Sequence, residues 1–216
     1  MNRAQLQSAI ARRPVVIVIL LAAWCVALVP GFRYLLAYER TPGTQSAAPR
    51  SWPAGIALTR SPTTPTLIVA MHPRCTCTRA TLTELEAFAA EPHPAVTTTL
   101  LIYQPESTQE PNAWRDLSIY AAAQKSLNAK IVLDPGGRLA EKFGAETSGE
   151  ALLYAADGTL RYQGGVTGAR GMQGNNAGLT TLRAALAQPT SSQPLSKPVF
   201  GCALFAHSTS TPQGTR

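Results

Sequence analysis

Charge is scarce in this chain. Asp, Glu, Lys and Arg make up 14% of its 216 residues, and no run of five like charges occurs. A net charge of +7 spread this thinly gives no basic stripe for nucleic acid and leaves weak attraction to anionic surfaces. Aromatics are few, at 6%, and are not interleaved with basic residues as in RNA-stacking modules. There is no internal repeat, and the glycine-rich stretches fit neither the P-loop nor the dinucleotide fingerprint. Cys-x-x-Cys is also missing, because the residue three after Cys75 is Thr78. A peroxidatic cysteine needs Thr or Ser three positions before it; His72 and Arg74 stand there for Cys75 and Cys77. The length fits one domain plus extensions, and 45% apolar residues is ordinary for a globular fold.

Residues Pro14 to Phe32 form an uncharged run of 19 residues, near the minimum for crossing ~30 Å of hydrocarbon. Arg3, Arg12 and Arg13 precede it, and Arg33 and Arg40 follow. With the amino terminus added, this bias places the N-terminus in the cytoplasm and the remaining chain outside. Ser46-Ala47-Ala48 resembles a signal cleavage site but lies 16 residues past Pro30, too far for ordinary processing. In the lipoprotein-like Leu21-Ala22-Ala23-Trp24-Cys25, Trp24 fills the position that needs a small residue. The expectation is an uncleaved anchor in which Cys25 is a small hydrophobe in lipid.

Composition then divides the chain. Residues 1–40 read as a cytoplasmic tip and transmembrane anchor. Residues 41–65, rich in Pro, Ser, Thr, Gly and Ala, read as a linker with a short strand at Ile56-Ala57-Leu58. Residues 66–188 read as the folded domain, and 189–216 as a loose tail carrying Cys202. Within the domain, Thr66–Met71 is strand-like. Leu82, Leu85, Phe88 and Ala89 make a helical stripe, and Thr81-Leu82-Thr83-Glu84 has the form of a capping box. A strand at 96–103, a helix over Pro111–Lys125 and a strand at 129–133 follow. Asp134 is positioned to cap a short helix over Arg138–Phe143. Ala151–Tyr154 and Thr159–Tyr162 flank Asp157-Gly158, a strong hairpin signal. The glycine-rich loop 164–176 leads into a last helix marked by Leu179, Leu182 and Leu186. Strands joined by helical crossovers run parallel, and the hairpin adds an antiparallel pair. The predicted fold is α/β, a mixed sheet with helices on both faces.

The chemistry concentrates at Met71-His72-Pro73-Arg74-Cys75-Thr76-Cys77-Thr78-Arg79. A buried strand that runs into cysteines at a helix N-terminus favours the thiolate, because free backbone N–H groups and the helix dipole stabilise negative charge. Arg74 and Arg79 add full charges. Residues i and i+2 of a helix point to different sides, so a Cys75–Cys77 disulfide needs a non-helical turn and is strained and easily reduced. Cys202 supplies a third thiol. The 15 residues from Ala187 to Cys202 reach ~50 Å when extended, enough to return to Cys75. His72 is a candidate either as a charged neighbour that lowers a cysteine pKa or as a neutral metal ligand. His93 and His207 read as loop residues.

These features together resemble the thioredoxin-like superfamily: the thiols after the first core strand, the Asp157-Gly158 hairpin, and the glycines from Gly164. More narrowly, the chain is similar to the membrane-anchored bacterial RedB-type proteins. That similarity is carried by His72–Ala80, Phe143-Gly144-Ala145-Glu146-Thr147-Ser148-Gly149, Thr167-Gly168-Ala169-Arg170-Gly171, Asn175-Asn176-Ala177-Gly178 and Val199-Phe200-Gly201-Cys202. The resemblance implies a thioredoxin-like mixed sheet behind one N-terminal transmembrane helix. It puts Ser148 and Gly149 where thioredoxins carry a cis-proline, and with Gly164 and Gly165 they are expected to line the substrate groove.

The reading that follows is a membrane-tethered thiol–disulfide oxidoreductase acting on protein thiols outside the cytoplasm. It would be single-pass in a bacterial inner membrane, with its domain facing the periplasm or cell exterior. Cys75 is the expected attacking thiolate, Cys77 the resolving thiol and Cys202 a third partner, with Arg74 and His72 stabilising the thiolate. No cofactor is required. The first alternative is copper or another soft metal held by Cys75, Cys77, His72 and Cys202. The second is a non-catalytic binding module on the same fold.

Overall fold

The computed structural model describes residues 3–106, 118–174, 176–187 and 193–205. It divides into two compact units, Met1–Arg40 and Thr41–Arg216. The first is one helix, α1 (Arg3–Arg40), with Pro14 and Pro30 inside it. From Pro14 to Phe32 its side chains are exposed and uncharged, and the helix is long and apolar enough to cross a membrane. A signal sequence would pass the same test of length and composition.

The second unit is built on a six-stranded sheet. Its strands are β1 (Thr66–Met71), β2 (Thr97–Gln104), β3 (Lys130–Pro135), β4 (Glu150–Tyr154), β5 (Leu160–Gly165) and β6 (Leu195–Ser196). They lie in the order β3-β2-β1-β4-β5-β6. β1, β2 and β3 are mutually parallel, β4 runs antiparallel to both β1 and β5, and β6 pairs in parallel with β5. The helices are α2 (Thr78–Ala90), α3 (Ser118–Leu127), α4 (Arg138–Lys142) and α5 (Ala177–Ala187). This is the thioredoxin-like arrangement: a central parallel strand ending at the thiols, with an antiparallel hairpin beside it.

β1 is buried along its whole length, as expected of a central strand covered on both faces. Its side chains alternate between two cores. Leu67, Val69 and Met71 meet Leu82, Leu85 and Phe88 of α2, Tyr120 and Ala123 of α3, and Leu179 and Leu182 of α5. Ile68 and Ala70 face the other way, toward Ala140 of α4, Phe143, Leu152 and Tyr154. Asp134 secures α4, its carboxylate accepting the amides of Leu139 (2.8 Å) and Ala140 (2.9 Å).

Residues 41–65 correct the linker expectation. Because α4 is short, it covers only part of its face, and this segment lies across the remainder as a strap. Ala48 and Leu58 are buried there. Trp52 makes edge contacts with Phe143 (5.0 Å) and Tyr154 (5.3 Å). Ser51 bridges Thr159 in antiparallel fashion, and the Leu160 amide donates to the Arg50 carbonyl (2.9 Å). Low apolar periodicity hid this, since a few anchors suffice when backbone bonds supply the rest. No strand forms at Ile56–Leu58. The first part of the helix expected over Pro111–Lys125, including Trp114 and Leu117, lies outside the described residues, as does His207.

Candidate functional site

The site forms where β1 gives way to α2. The Cys75 amide donates to the His72 carbonyl (3.0 Å), and the Thr78 amide to that of Cys75 (3.1 Å). These turns make Cys77 the N-cap of α2 and leave Cys75 two residues outside the helix. The helix thus starts at the cysteines and not at the expected capping box. Glu84, the acidic end of that box, is buried and turned elsewhere: its carboxylate accepts the Gly174 amide and Asn176 Nδ2 (3.0 Å). It ties the glycine-rich loop to α2.

A second wall is the approach to β4. Ser148 is buried; its Oγ accepts the His72 amide (2.9 Å) and lies 3.2 Å from Thr78 Oγ1. Gly149 has φ +91°, and a Cβ there would meet Thr81 Oγ1 at 2.8 Å. Its amide donates to the Ala70 carbonyl at 2.7 Å, locking this turn onto β1.

The tail forms the third wall. After β6 it passes directly over the end of β5, where a Cβ on Gly164 would lie 2.3 Å from the Lys197 carbonyl oxygen and one on Gly165 2.9 Å from that of Pro198. These two glycines therefore admit the tail. Beyond them the chain runs antiparallel to the segment before β4, bridging Thr147 to Ala203. The Ser148 amide donates to the Cys202 carbonyl, and the Leu204 amide to that of Glu146, both at 2.8 Å. This short pairing aims the Cys202 amide at Cys75 Sγ, 3.4 Å away.

The sulfurs are unequal. Cys75 and Cys77 are 5% and 6% exposed, while Cys202 is half-buried. Burial pushes the Cys75 thiol up. The opposing hydrogen bonds win, and its pKa lies below the ordinary value: the Cys202 thiol and amide, the Cys77 amide and the Ser148 hydroxyl all point at its sulfur. Cys202 is pushed up to about 12 by burial, by donating its proton to Cys75 and by the Cys75 charge. Cys77 is raised by burial and by the Cys75 charge, against a lowering contribution from the Gly171 amide and Arg170. Of the three thiols, Cys75 is therefore the one that gives up its proton first, and its charge in turn holds the protons on its two neighbours.

Arg170, whose charge has no local signal tying it to the cysteines, acts on these thiols. Its Nη1 donates to the Gly201 carbonyl, and its charge acts on Cys77 and Cys202. The expected stabilisers lie differently. Arg74 is exposed. The His72 ring stacks on Tyr103 (centroids 5.2 Å, 16°), and its Nδ1 accepts the Arg74 amide (3.2 Å). Burial and the Arg74 charge lower the His72 pKa and so disfavour the charged ring. This corrects the role expected of a protonated His72. Ring stacking and an occupied Nδ1 also turn it from a ligand's task. Among the described residues, no group of three or more His, Cys, Asp or Glu side chains is placed to hold a metal ion, so the set Cys75, Cys77, His72 and Cys202 forms no ready cage.

No protein-family model matches the chain, and no curated protein matches it. Solved structures do. An uncharacterized conserved protein from Geobacillus kaustophilus aligns at 16% identity and TM-score 0.54, covering 79% of this chain and 94% of that one. A hypothetical protein from Sinorhizobium meliloti 1021 aligns at 19% identity and TM-score 0.46, over 76% and 93% of the two chains. A secreted Mycobacterium tuberculosis disulfide oxidoreductase, described as homologous to E. coli DsbE, aligns at 17% and TM-score 0.35, over 57% and 81%. At these identities the first likeness speaks to the fold alone, and the two weaker ones add no argument. The chemistry rests on this chain's own residues.

Proposed function

We propose that this chain is a thiol–disulfide oxidoreductase of the RedB type, tethered by α1 to a bacterial inner membrane and acting on protein thiols outside the cytoplasm. The observation that carries the reading is the contact of the tail with Cys75: the Cys202 amide donates to Cys75 Sγ (3.4 Å), and of the two thiols Cys75 is lowered and Cys202 raised. A nucleophilic thiolate with a protonated thiol in contact is what a two-step exchange needs. The Cys75 thiolate attacks one sulfur of a partner disulfide. A Cys75–partner disulfide forms, and the other partner sulfur leaves as thiolate and takes a proton. Cys202, giving up its own proton, then attacks Cys75 Sγ. The Cys75–Cys202 disulfide forms and the second partner thiol departs. The partner gains two electrons and the domain loses them; run backwards, the same steps oxidise a partner dithiol.

Cys202 replaces Cys77 here as the preferred resolving thiol. Its amide and thiol both address the Cys75 sulfur, and a bridge to the tail avoids closing a ring across one intervening residue. Arg170 would steady the thiolate that Cys202 must become during attack. The test uses glutathione disulfide and mass spectrometry without reduction. Wild-type protein should yield a Cys75–Cys202 disulfide. Cys202→Ser should stop at a glutathione adduct on Cys75, and Cys77→Ser should not. An adduct that accumulates in Cys77→Ser instead returns the resolving role to Cys77. A Cys75→Ser variant that still consumes glutathione disulfide through Cys77 or Cys202 overturns the assignment of Cys75.

A further inference from the structure

The tail does more than carry Cys202. It lies against the sulfur that must react, through the Cys202 amide (3.4 Å), and Cys75 is 5% exposed in a site whose chemistry requires a partner sulfur to approach in line. This segment is held by backbone pairing. The Val199 carbonyl accepts the Gly43 amide (2.8 Å), the Cys202 carbonyl the Ser148 amide (2.8 Å), and the Glu146 carbonyl the Leu204 amide (2.8 Å). Val199 and Leu204 are buried at its two ends. Between them the fit is close at one position: a Cβ on Gly201 would lie 1.9 Å from the Ser148 carbonyl oxygen. That contact is with backbone, so no rotamer change relieves it. Gly201 is set directly before Cys202, and the Ser148 carbonyl directly precedes the Gly149 turn that is bonded to β1.

We propose that Val199–Leu204 is an internal competitor for the strand seat beside Cys75, which a partner's cysteine segment must take over to react, and that the seat admits only segments with glycine immediately before the cysteine. The proposal rests on the exchange reading above but is tested through access and not through turnover. Seated, the tail makes the reduced site self-protecting. Displaced, it leaves the Ser148 amide and Glu146 carbonyl free to pair with an incoming extended chain, the general logic of adding a strand to an open edge.

The experiment follows iodoacetamide labelling of Cys75 by peptide mass spectrometry in the reduced full chain, across a pH series. The limiting rate at high pH reads access, and the midpoint reads ionisation. Gly201→Ala should fold, as checked by cooperative melting, and should raise the limiting rate at Cys75 by about tenfold or more through loss of local protection. Its midpoint should rise, because the Cys202 donors leave with the tail. The peptide Val-Phe-Gly-Ser-Ala-Leu, added at millimolar concentration, should then restore protection, and Val-Phe-Ala-Ser-Ala-Leu should not. Should Gly201→Ala fail to fold, Arg170→Gln, which removes the guanidinium bond to the Gly201 carbonyl, should raise the limiting rate in the same direction. An unchanged limiting rate in the variant, or protection by both peptides or by neither, overturns the proposal. These outcomes are separate from failure of the exchange reading, which would show as no glutathione adduct on Cys75.

Discussion

Two irregular segments lie on this sheet, and they differ in what holds the stretch that matters. The strap, residues 41–65, adds to its backbone bonds a set of apolar anchors: Ala48, Leu58 and the Trp52 ring against Phe143 and Tyr154. The tail, from Lys197 to Phe205, is anchored by buried Val199 and Leu204, but between them it meets the site through backbone amides and carbonyls, one guanidinium and one sulfur. Apolar burial is costly to undo and indifferent to chemistry. Backbone pairing is roughly exchangeable with pairing to another chain or to water. The strap is therefore held along its length by ring and aliphatic packing, and the stretch of tail beside Cys75 by exchangeable pairing. They meet at Gly43, whose amide donates to the Val199 carbonyl, and at Thr147, whose Oγ1 donates to the Thr44 carbonyl (2.7 Å).

The comparison breaks most visibly if the strap proves dispensable. Trp52→Ala should lower stability by about 3 kcal/mol, from the loss of a large aromatic with two ring contacts, read as a lower midpoint in urea. Cys75 labelling at neutral pH should stay at the wild-type rate. A large rise in labelling would show that strap and tail move together.

Glu150 sharpens the same point, because it sits where strap and site meet. Fully buried, it accepts Gln163 Nε2 (2.9 Å) and the Glu146 amide (3.1 Å), while Gln163 also donates to the Ser46 carbonyl (2.6 Å). Burial pushes its pKa up to about 7 from 4.5. The folded state thus binds this proton more tightly than the unfolded chain does. The associated stability is fully present below pH 4.5 and is lost as pH rises through about 7. The decline should amount to at most about 3 kcal/mol, and Glu150→Gln should flatten it in denaturant titrations at pH 4.5 and pH 7.5. A wild-type profile that does not fall over this range would contradict the account of Glu150.

Glu84→Ala should cost about 2 kcal/mol by leaving the Gly174 amide and the Asn176 side chain without their acceptor. By loosening the loop that carries Arg170 and Gly171, it should also slow resolution of the Cys75 adduct. A variant that resolves the adduct as fast as wild type would uncouple loop from thiols.

The smallest effect belongs to Cys202→Ser. A hydroxyl replaces one donor, and stability should change by less than about 1 kcal/mol. The midpoint of Cys75 labelling should still move upward with loss of the Cys202 thiol, one of several hydrogen bonds. A midpoint that stays put would remove Cys202 from the list of groups that stabilise the thiolate.

Much of this fold was legible in the sequence. The run Thr66–Met71, the stripe Leu82–Leu85–Phe88 and the Asp157-Gly158 turn are period and turn signals that tertiary packing reinforces. The tail's return to Cys75 needed only chain length and a third cysteine. What escaped had no local signature. The strap holds by three anchors and borrowed backbone bonds. The Arg170 charge comes from a loop nearly a hundred positions beyond Cys75, brought near by the β4–β5 hairpin and the tie to Glu84. Glu84 itself carried a misleading local pattern, since its place in a capping box is also a place on the buried face of α2. The type of residue leaves His72 open as a charged neighbour or a neutral ligand; its stack on Tyr103 and its burial weigh against the charge, and both are long-range facts.

The most direct test is a titration of Cys75 and Cys202 in the reduced full chain, following pH-dependent labelling of each by peptide mass spectrometry. Cys75 should ionise first, below an ordinary thiol, with Cys202 far above it. If Cys75 titrates at or above an ordinary thiol, or after Cys202, the single charge does not reside where the exchange chemistry needs it, and the account is wrong.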